Sequence, residues 1–354
     1  MGVAVRVMTV KEYAVLKGAR FEEIDVPSAD FLVEKHGSRF ASSFSHGPLT
    51  VARLENIRFF KSHGLVMTEE GWVLSDTMLD GHCKKMVERL SAGEIDLSGD
   101  FSTVISEPSA VIGGQQNFYH WMFNWLSKFT ALHGSSYWKD VRSLILNGPL
   151  EKFQWETLFK LGVSGGKNLH VVQDSRPVLV KDAIVPTLFS NPLHSQGHVT
   201  WLRALLTSKT EDHNFGERIY ISRKDAAKGN RQILNEDALI ALLEAYDFKI
   251  IRLGDLTLRE QASVFRGARY VVAPHGAGLA NIIHAEPGAC FLEMQAEGAY
   301  TQVYWSLGLL SGAGRYDILA CEGSGDFIPY QKHIEVDLDL LEAVVSKKWE
   351  LEMR

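Results

Sequence analysis

The chain has 354 residues, 45% of them hydrophobic and 23% charged, with a formal net charge of -6. A single core rarely extends over that length, so two domains are expected, and the composition excludes a disordered or fibrous chain. The acidic balance argues against a nucleic-acid binder, which carries a basic excess or patch.

Taken from the start, MGVAVRVMTVKEYAVLKGAR lacks the uninterrupted apolar core of a signal peptide, and no later run approaches the length of a transmembrane segment. Residues 1–112 read as short strands and turns. GLVMTEEGWVLSD, Gly64 to Asp76, has the alternation of a hairpin with Glu70-Gly71 near its turn. An amphipathic stretch from about Thr77 to Leu90 interrupts the strands. At Asn117 the period changes. Phe118, Met122, Trp125, Phe129 and Leu132 come at spacings of 4, 3, 4 and 3, an apolar helical stripe with Asn117 as N-cap. Strand RSLILN, helix EKFQWETLFKLG and strands LHVVQ and VLVKDAIVP come next, the alternation of an α/β unit with a parallel sheet. Pro186 to Gly216 breaks that alternation, with loop signals at Asn191-Pro192, one helix near Val199 to Thr207, and the polar run SKTEDHNFG. A linker belongs there.

The second half alternates cleanly. Strand RIYIS, a helix from Asn235, strand FKIIRL, a helix from Thr257, strand RYVVA, a helix from Ala277, strand CFLEM, a helix from about Thr301 and strand YDILA succeed one another. Thr257 and Glu260 form a capping box, and a last helix runs from Leu338 to about Leu351. The expected division is a first α/β domain with a β-rich start over 1–210, a second α/β domain over 211–325, and a tail over 326–354 packing back on the first domain. The three cysteines, Cys83, Cys290 and Cys321, match no zinc spacing or disulfide framework, which points to a reducing compartment and a cytoplasmic location.

RYVVAPHGAGLANIIHA, Arg269 to Ala285, carries the strongest chemical signal. An apolar strand runs into His275-Gly276-Ala277-Gly278, and apolar periodicity resumes at Leu279, Ile282 and Ile283. Strand, glycine turn and helix start hold phosphate well, because a helix N-terminus carries unsatisfied donors and partial positive charge.

Three stretches resemble glycosyltransferase family 61: NFYHWMFNWLSKF, RIYISRKDAAKGNRQILNEDAL and FRGARYVVAPHGAGLANIIHAEPGACFLEM. The resemblance runs from roughly Asn117 to Gln295. It implies a GT-B-type pair of Rossmann-like α/β domains facing a cleft, with 1–210 as the acceptor-side domain and 211–325 as the nucleotide-sugar-binding domain, and it does not extend to the β-rich N-terminal segment. It also implies an inverting transfer from a nucleotide-sugar donor to a glycan or other hydroxyl acceptor, as in capsular-polysaccharide biosynthesis, with no obligatory metal or cofactor.

Departure of a nucleoside diphosphate requires cations or backbone dipoles to stabilise its charge. Ser222, Arg223 and Lys224 come after the first strand of the second half, and His275, Gly276, Ala277 and Gly278 after the third, so both groups meet at one sheet edge. Asn281 lies in the same helix start, and Glu293, ending the next strand, is placed to accept from ribose hydroxyls. Arg223 and Lys224 read equally as a solvated loop pair, and His275 as a turn histidine bonded to backbone. An acceptor hydroxyl needs a base, and His120 is the candidate, with Asn124 and Lys128 on the same polar helix face. Surface capping by His120 is the plainer alternative.

Several motif-like spacings carry less. Gly276, Gly278 and Asn281 imitate a dinucleotide fingerprint without its third glycine. Gly162, Ser164 and Gly166 imitate a nucleophile elbow between helix and strand, the wrong order. His194 and His198 sit in a loop context that does not suit a metal pair, and Asp337 with Asp339 reads as a helix cap. A nucleotide-dependent oxidoreductase and a non-catalytic nucleotide- or sugar-binding module are the two alternative readings.

Overall fold

The computed structural model describes residues 5–27, 29–30, 43–44, 47–95, 100–163, 166–190, 194–207, 215–224 and 231–353. The chain is a mixed α/β protein that divides into two compact units, one built from described residues of 1–30 and 43–202, the other from those of 203–354. The division falls inside the helix Gln196–Leu206, within the expected linker stretch 186–216. Residues 191–193, with the Asn191-Pro192 signal, and 208–214 of that stretch lie outside the described residues, as does Ser164. Among the described residues no helix is long and apolar enough to cross a membrane.

The first unit is organised on a sheet that takes ten of its strands: β1 (Arg6–Met8), β2 (Phe21–Ile24), β3 (Leu49–Phe60), β4 (Leu65–Met67), β5 (Trp72–Leu74), β6 (Thr103–Ile105), β7 (Ser109–Val111), β8 (Ser143–Asn147), β9 (Asn168–Val172) and β10 (Val178–Pro186). The order is β1-β5-β4-β3-β10-β7-β8-β9, with β2 on β3 and β6 on β10. From β10 through β9 neighbouring strands are parallel, while β3 meets β10 antiparallel. The expected hairpin is β4–β5, with Met67 opposite Val73 and Gly71 at φ 84 in its turn. The amphipathic stretch after it is the helix Asp80–Ser91. Alternating side chains of the long strands, Leu54, Ile57 and Phe59 facing Val178, Val180 and Ala183, bury the core of this unit.

The second unit contains β11 (Arg218–Ile221), β12 (Lys249–Ile251), β13 (Tyr270–Pro274), β14 (Cys290–Ala296), β15 (Arg315–Ser324) and β16 (His333–Glu335) in the order β12-β11-β13-β14-β15-β16. The first five are parallel and β16 is antiparallel to β15. Strand order therefore reverses between β11 and β13, which opens a crevice at their carboxyl ends. The helix Leu258–Gly267 begins with the expected capping box of Thr257 and Glu260. Two expectations are corrected. The segment after Gly276 is a 3₁₀ helix, Ala277–His284, rather than an α-helix. The last helix, Leu338–Ala343 continued as a π-helix over Val344–Lys348, was expected against the first domain. Its apolar residues Leu341, Val344 and Val345 instead join Leu239, Leu243 and Tyr246 in the core of its own unit.

Candidate functional site

In the second unit, the turns after β11 and β13 meet across the reversal. Arg223 Nη1 donates to the carbonyl of His275 at 2.9 Å, so the guanidinium braces the turn. A Cβ on Gly276 would lie 2.2 Å from that same nitrogen, which is why glycine is needed there although its backbone is extended. Gly278 lies under Leu253, whose Cδ1 would be 2.7 Å from an added Cβ. Arg223, His275 and Gly276 are thus brought together as expected from the sheet edge.

Behind the turn is a relay that spacing alone did not reveal. His275 Nδ1 is 2.6 Å from Glu293 Oε1, and the Tyr316 hydroxyl donates to Glu293 Oε2 at 2.7 Å. Glu293 has no exposed surface, so the expectation that it receives ribose hydroxyls is corrected: both oxygens already accept from side chains. The carboxylate directs the Nδ1 proton of His275 toward itself and leaves Nε2 as the working end of the ring. The ring also packs against Tyr304, centroid to centroid 5.1 Å. Burial beside Glu293 pushes the Tyr316 phenol well up, so it remains a donor. Tyr316 and Glu293 come from adjacent parallel strands, a pairing that only the sheet creates.

Other expected donor-side groups are engaged within the fold. Ser222 Oγ donates to buried Glu236 at 2.7 Å, which also accepts from Tyr220 at 2.9 Å. Lys224 forms an exposed ion pair with Asp237. Asn281 is buried and donates to Gln261 Oε1 at 3.0 Å and to the Gly278 carbonyl at 3.1 Å, so it fastens the 3₁₀ turn to the neighbouring helix instead of facing a ligand. Asp337 caps the last helix, accepting from the Leu340 amide at 3.0 Å.

In the first unit His120 ends the short helix Phe118–His120, whose N-cap Asn117 accepts from the His120 amide at 3.1 Å. A π-turn comes next over Trp121–Trp125, closed by the Leu126 amide on the Trp121 carbonyl at 2.9 Å, and helix continues as Ser127–Gly134. His198 Nε2 lies 2.9 Å from the Met122 carbonyl inside that turn, and His198 Nδ1 lies 2.8 Å from Thr130 Oγ1. His194 is bonded to the Tyr119 hydroxyl at 3.0 Å. Both histidines therefore peg this helix rather than pair on a metal. The extra residue of the π-turn rotates the helix beyond it by about 100° relative to a regular one. The expected polar face is not solvent-facing, because Asn124 and Lys128 are both buried.

Asn124 still meets His120. Its Nδ2 donates to the Phe189 carbonyl at 2.6 Å, which turns Oδ1 toward His120 Nδ1, 2.9 Å away. An amide oxygen accepts only, so Nδ1 holds the ring proton and Nε2 presents a lone pair. Burial lowers the His120 pKa, against the opposing pull of Asn124, which keeps the ring neutral. Lys128 does not share this site. Its Nζ donates to the carbonyls of Ile112 at 2.8 Å and Val111 at 3.4 Å and stands 4.9 Å from the Trp125 ring centroid. Burial pushes it down to about 7. Gly113, at φ 76, lets the chain pass over Trp125, whose Cζ3 would be 2.6 Å from an added Cβ.

Two further histidines were missed by sequence reasoning. His63, at φ 56 in a Ser-His-Gly turn, stacks edge-on against His82 with centroids 4.5 Å apart. His82 is pushed down to about 4 by burial and by the nearby rings of His63 and His120. They lie on separate elements with no shared spacing, so only proximity in the fold links them to His120. Among the described residues no cluster of three His, Cys, Asp or Glu is arranged to hold a metal ion.

The second unit is thus a doubly wound α/β domain with a braced glycine turn at its strand-order reversal, the class of architecture that binds nucleotides. The comparison with known families is consistent with that class. The model of the family described as Glycosyltransferase 61 matches residues 118–292. The chain is also 35% identical over 78 residues to the EGF domain-specific O-linked N-acetylglucosamine transferase of Drosophila melanogaster. That stretch spans 21% of this chain and 14% of the fly protein.

Proposed function

We propose that the chain is an inverting glycosyltransferase that moves a sugar from a nucleotide-sugar donor to a hydroxyl of a glycan acceptor, in polysaccharide biosynthesis. The observation that carries the donor half is the Arg223-braced turn at His275–Gly276, backed by Glu293 and Tyr316 at the switch point of a parallel sheet. In this reading the second unit holds the diphosphate and the first supplies the acceptor side, the pairing of a GT-B enzyme. The acceptor hydroxyl gives its proton to His120 Nε2 while its oxygen bonds to the anomeric carbon. The bond from that carbon to the diphosphate breaks, and its electron pair leaves on the phosphate oxygen. A single in-line displacement inverts the anomeric centre.

Charge on the departing diphosphate falls on protein cations and the turn amides, so activity is expected to survive chelation. Turnover abolished by EDTA and restored by manganese would overturn that part. The fly relative is named for transfer of N-acetylglucosamine, so that sugar comes first among donors to try. The reading is tested by thermal stabilisation and hydrolysis across a panel of nucleotide sugars. Stabilisation by at least one, with release of its nucleoside diphosphate, is expected. Stabilisation by NAD alone would favour the oxidoreductase alternative, and binding without hydrolysis or transfer would favour a non-catalytic module.

A further inference from the structure

Two cations not singled out from the sequence, Arg231 within the stretch 218–239 and Lys332 beyond all three family-like stretches, line a pocket with His275. Arg231 sits at φ 54 with its amide on the Gln331 carbonyl at 3.1 Å. Beyond it, Ile233 bridges to Ile334 in parallel. The Gln232 amide reaches His333 Nδ1 at 3.2 Å, and the Ile334 amide returns to the Gln232 carbonyl at 2.9 Å. This stitching lays residues 231–234 along β16 and sets Arg231 next to Lys332.

Arg231 and Lys332 line one pocket together with Pro274 and His275, over an apolar floor of Met294 and Ile334. The Lys332 stem is held against Gly323, where an added Cβ would meet its Cδ at 2.9 Å. Arg231 Nε is buried and has no hydrogen-bond partner among the described residues. Neither cation forms an ion pair with a described acidic residue, whereas Lys224 is already paired with Asp237. A desolvated guanidinium edge, an ammonium and an imidazole around one concavity form a site for a multiply charged oxyanion.

We propose that Arg231 and Lys332 are the cations that bind the donor's diphosphate, neutralising the charge left on the phosphate oxygen when its bond to the anomeric carbon breaks. The proposal rests on the reading of this unit as the donor site. Lys224, the more obvious basic residue in the sequence, is not needed for it.

The test is isothermal titration of the full chain with UDP, GDP, CDP and ADP, and with the monophosphate of whichever diphosphate binds. Arg231→Gln and Lys332→Gln are each expected to weaken diphosphate binding about tenfold and monophosphate binding much less, so the diphosphate preference shrinks. Arg231→Lys should recover part of the loss, and exposed Lys347→Gln should leave both affinities within about twofold. If Arg231→Gln fails to fold, Arg231→Lys and Lys332→Gln decide the matter by the same ratio. Variants that keep the wild-type ratio overturn this inference while leaving the donor reading intact. A wild-type chain that binds none of the four diphosphates overturns both.

Discussion

The two units each present a histidine near a helix start, yet the group behind the ring differs. His120 is oriented by the amide of Asn124, itself anchored on a backbone carbonyl, whereas His275 is oriented by the buried carboxylate of Glu293. An amide fixes the tautomer without adding charge, so burial still wins and the ring remains a neutral acceptor. A carboxylate fixes the tautomer through a charge-assisted hydrogen bond and leaves Nε2 facing outward. The same side chain is held by a neutral amide in one unit and by a buried carboxylate in the other.

The largest expected effect comes from removing the neutral base. His120→Ala should lower turnover by about 10²–10⁴-fold while calorimetric affinity for nucleoside diphosphate stays within about twofold. Equal loss of affinity would erase the distinction between the two histidines. Next in size, Glu293→Gln exchanges the carboxylate for an amide and makes the second site resemble the first. The carboxylate that holds Nδ1 is then gone, so diphosphate affinity should fall by roughly tenfold in calorimetry. An unchanged affinity would mean that the carboxylate serves folding only.

The converse exchange, Asn124→Asp, places a carboxylate behind His120. In the native chain burial holds the His120 pKa below its ordinary 6.5, so kcat/KM should fall only as pH drops through that lowered value. With the aspartate in place the acid limb should move up by about one unit, because the imidazolium gains a counter-charge. A pH–rate profile that does not move would separate His120 from proton transfer.

The smallest effect concerns the buried amine near the first site. Lys128 is held near pH 7 in the folded state against about 10.4 in an unfolded chain, so the unfolded state binds more protons between those values. Stability should therefore rise with pH from about 7 to about 10. In Lys128→Met that rise should shrink by about 1 kcal/mol or more, read from thermal unfolding at several pH values. Parallel curves for the two proteins would show that Lys128 does not titrate in the folded chain.

Much of the local architecture was readable from residue order. The hairpin before Asp76, the capping box at Thr257 and the alternation of strand and helix after Arg218 depend on period and on neighbours three or four residues apart, which a sequence displays directly. The expectation that the His275 turn binds an anion came from the same local logic. Tertiary structure alone decided which polar groups remain available. Glu293 is taken by Tyr316, 23 residues away, because their strands are neighbours in a sheet. Asn124 and Lys128 are buried because Asn124 meets the Phe189 carbonyl and Lys128 the Val111 and Ile112 carbonyls, all from other segments. Arg231 meets Lys332 because a backbone bridge joins segments about a hundred residues apart. Periodicity records which face a residue occupies within its own element. Whether that face meets solvent, a carboxylate or another cation depends on which elements pack against it, and no local pattern encodes that.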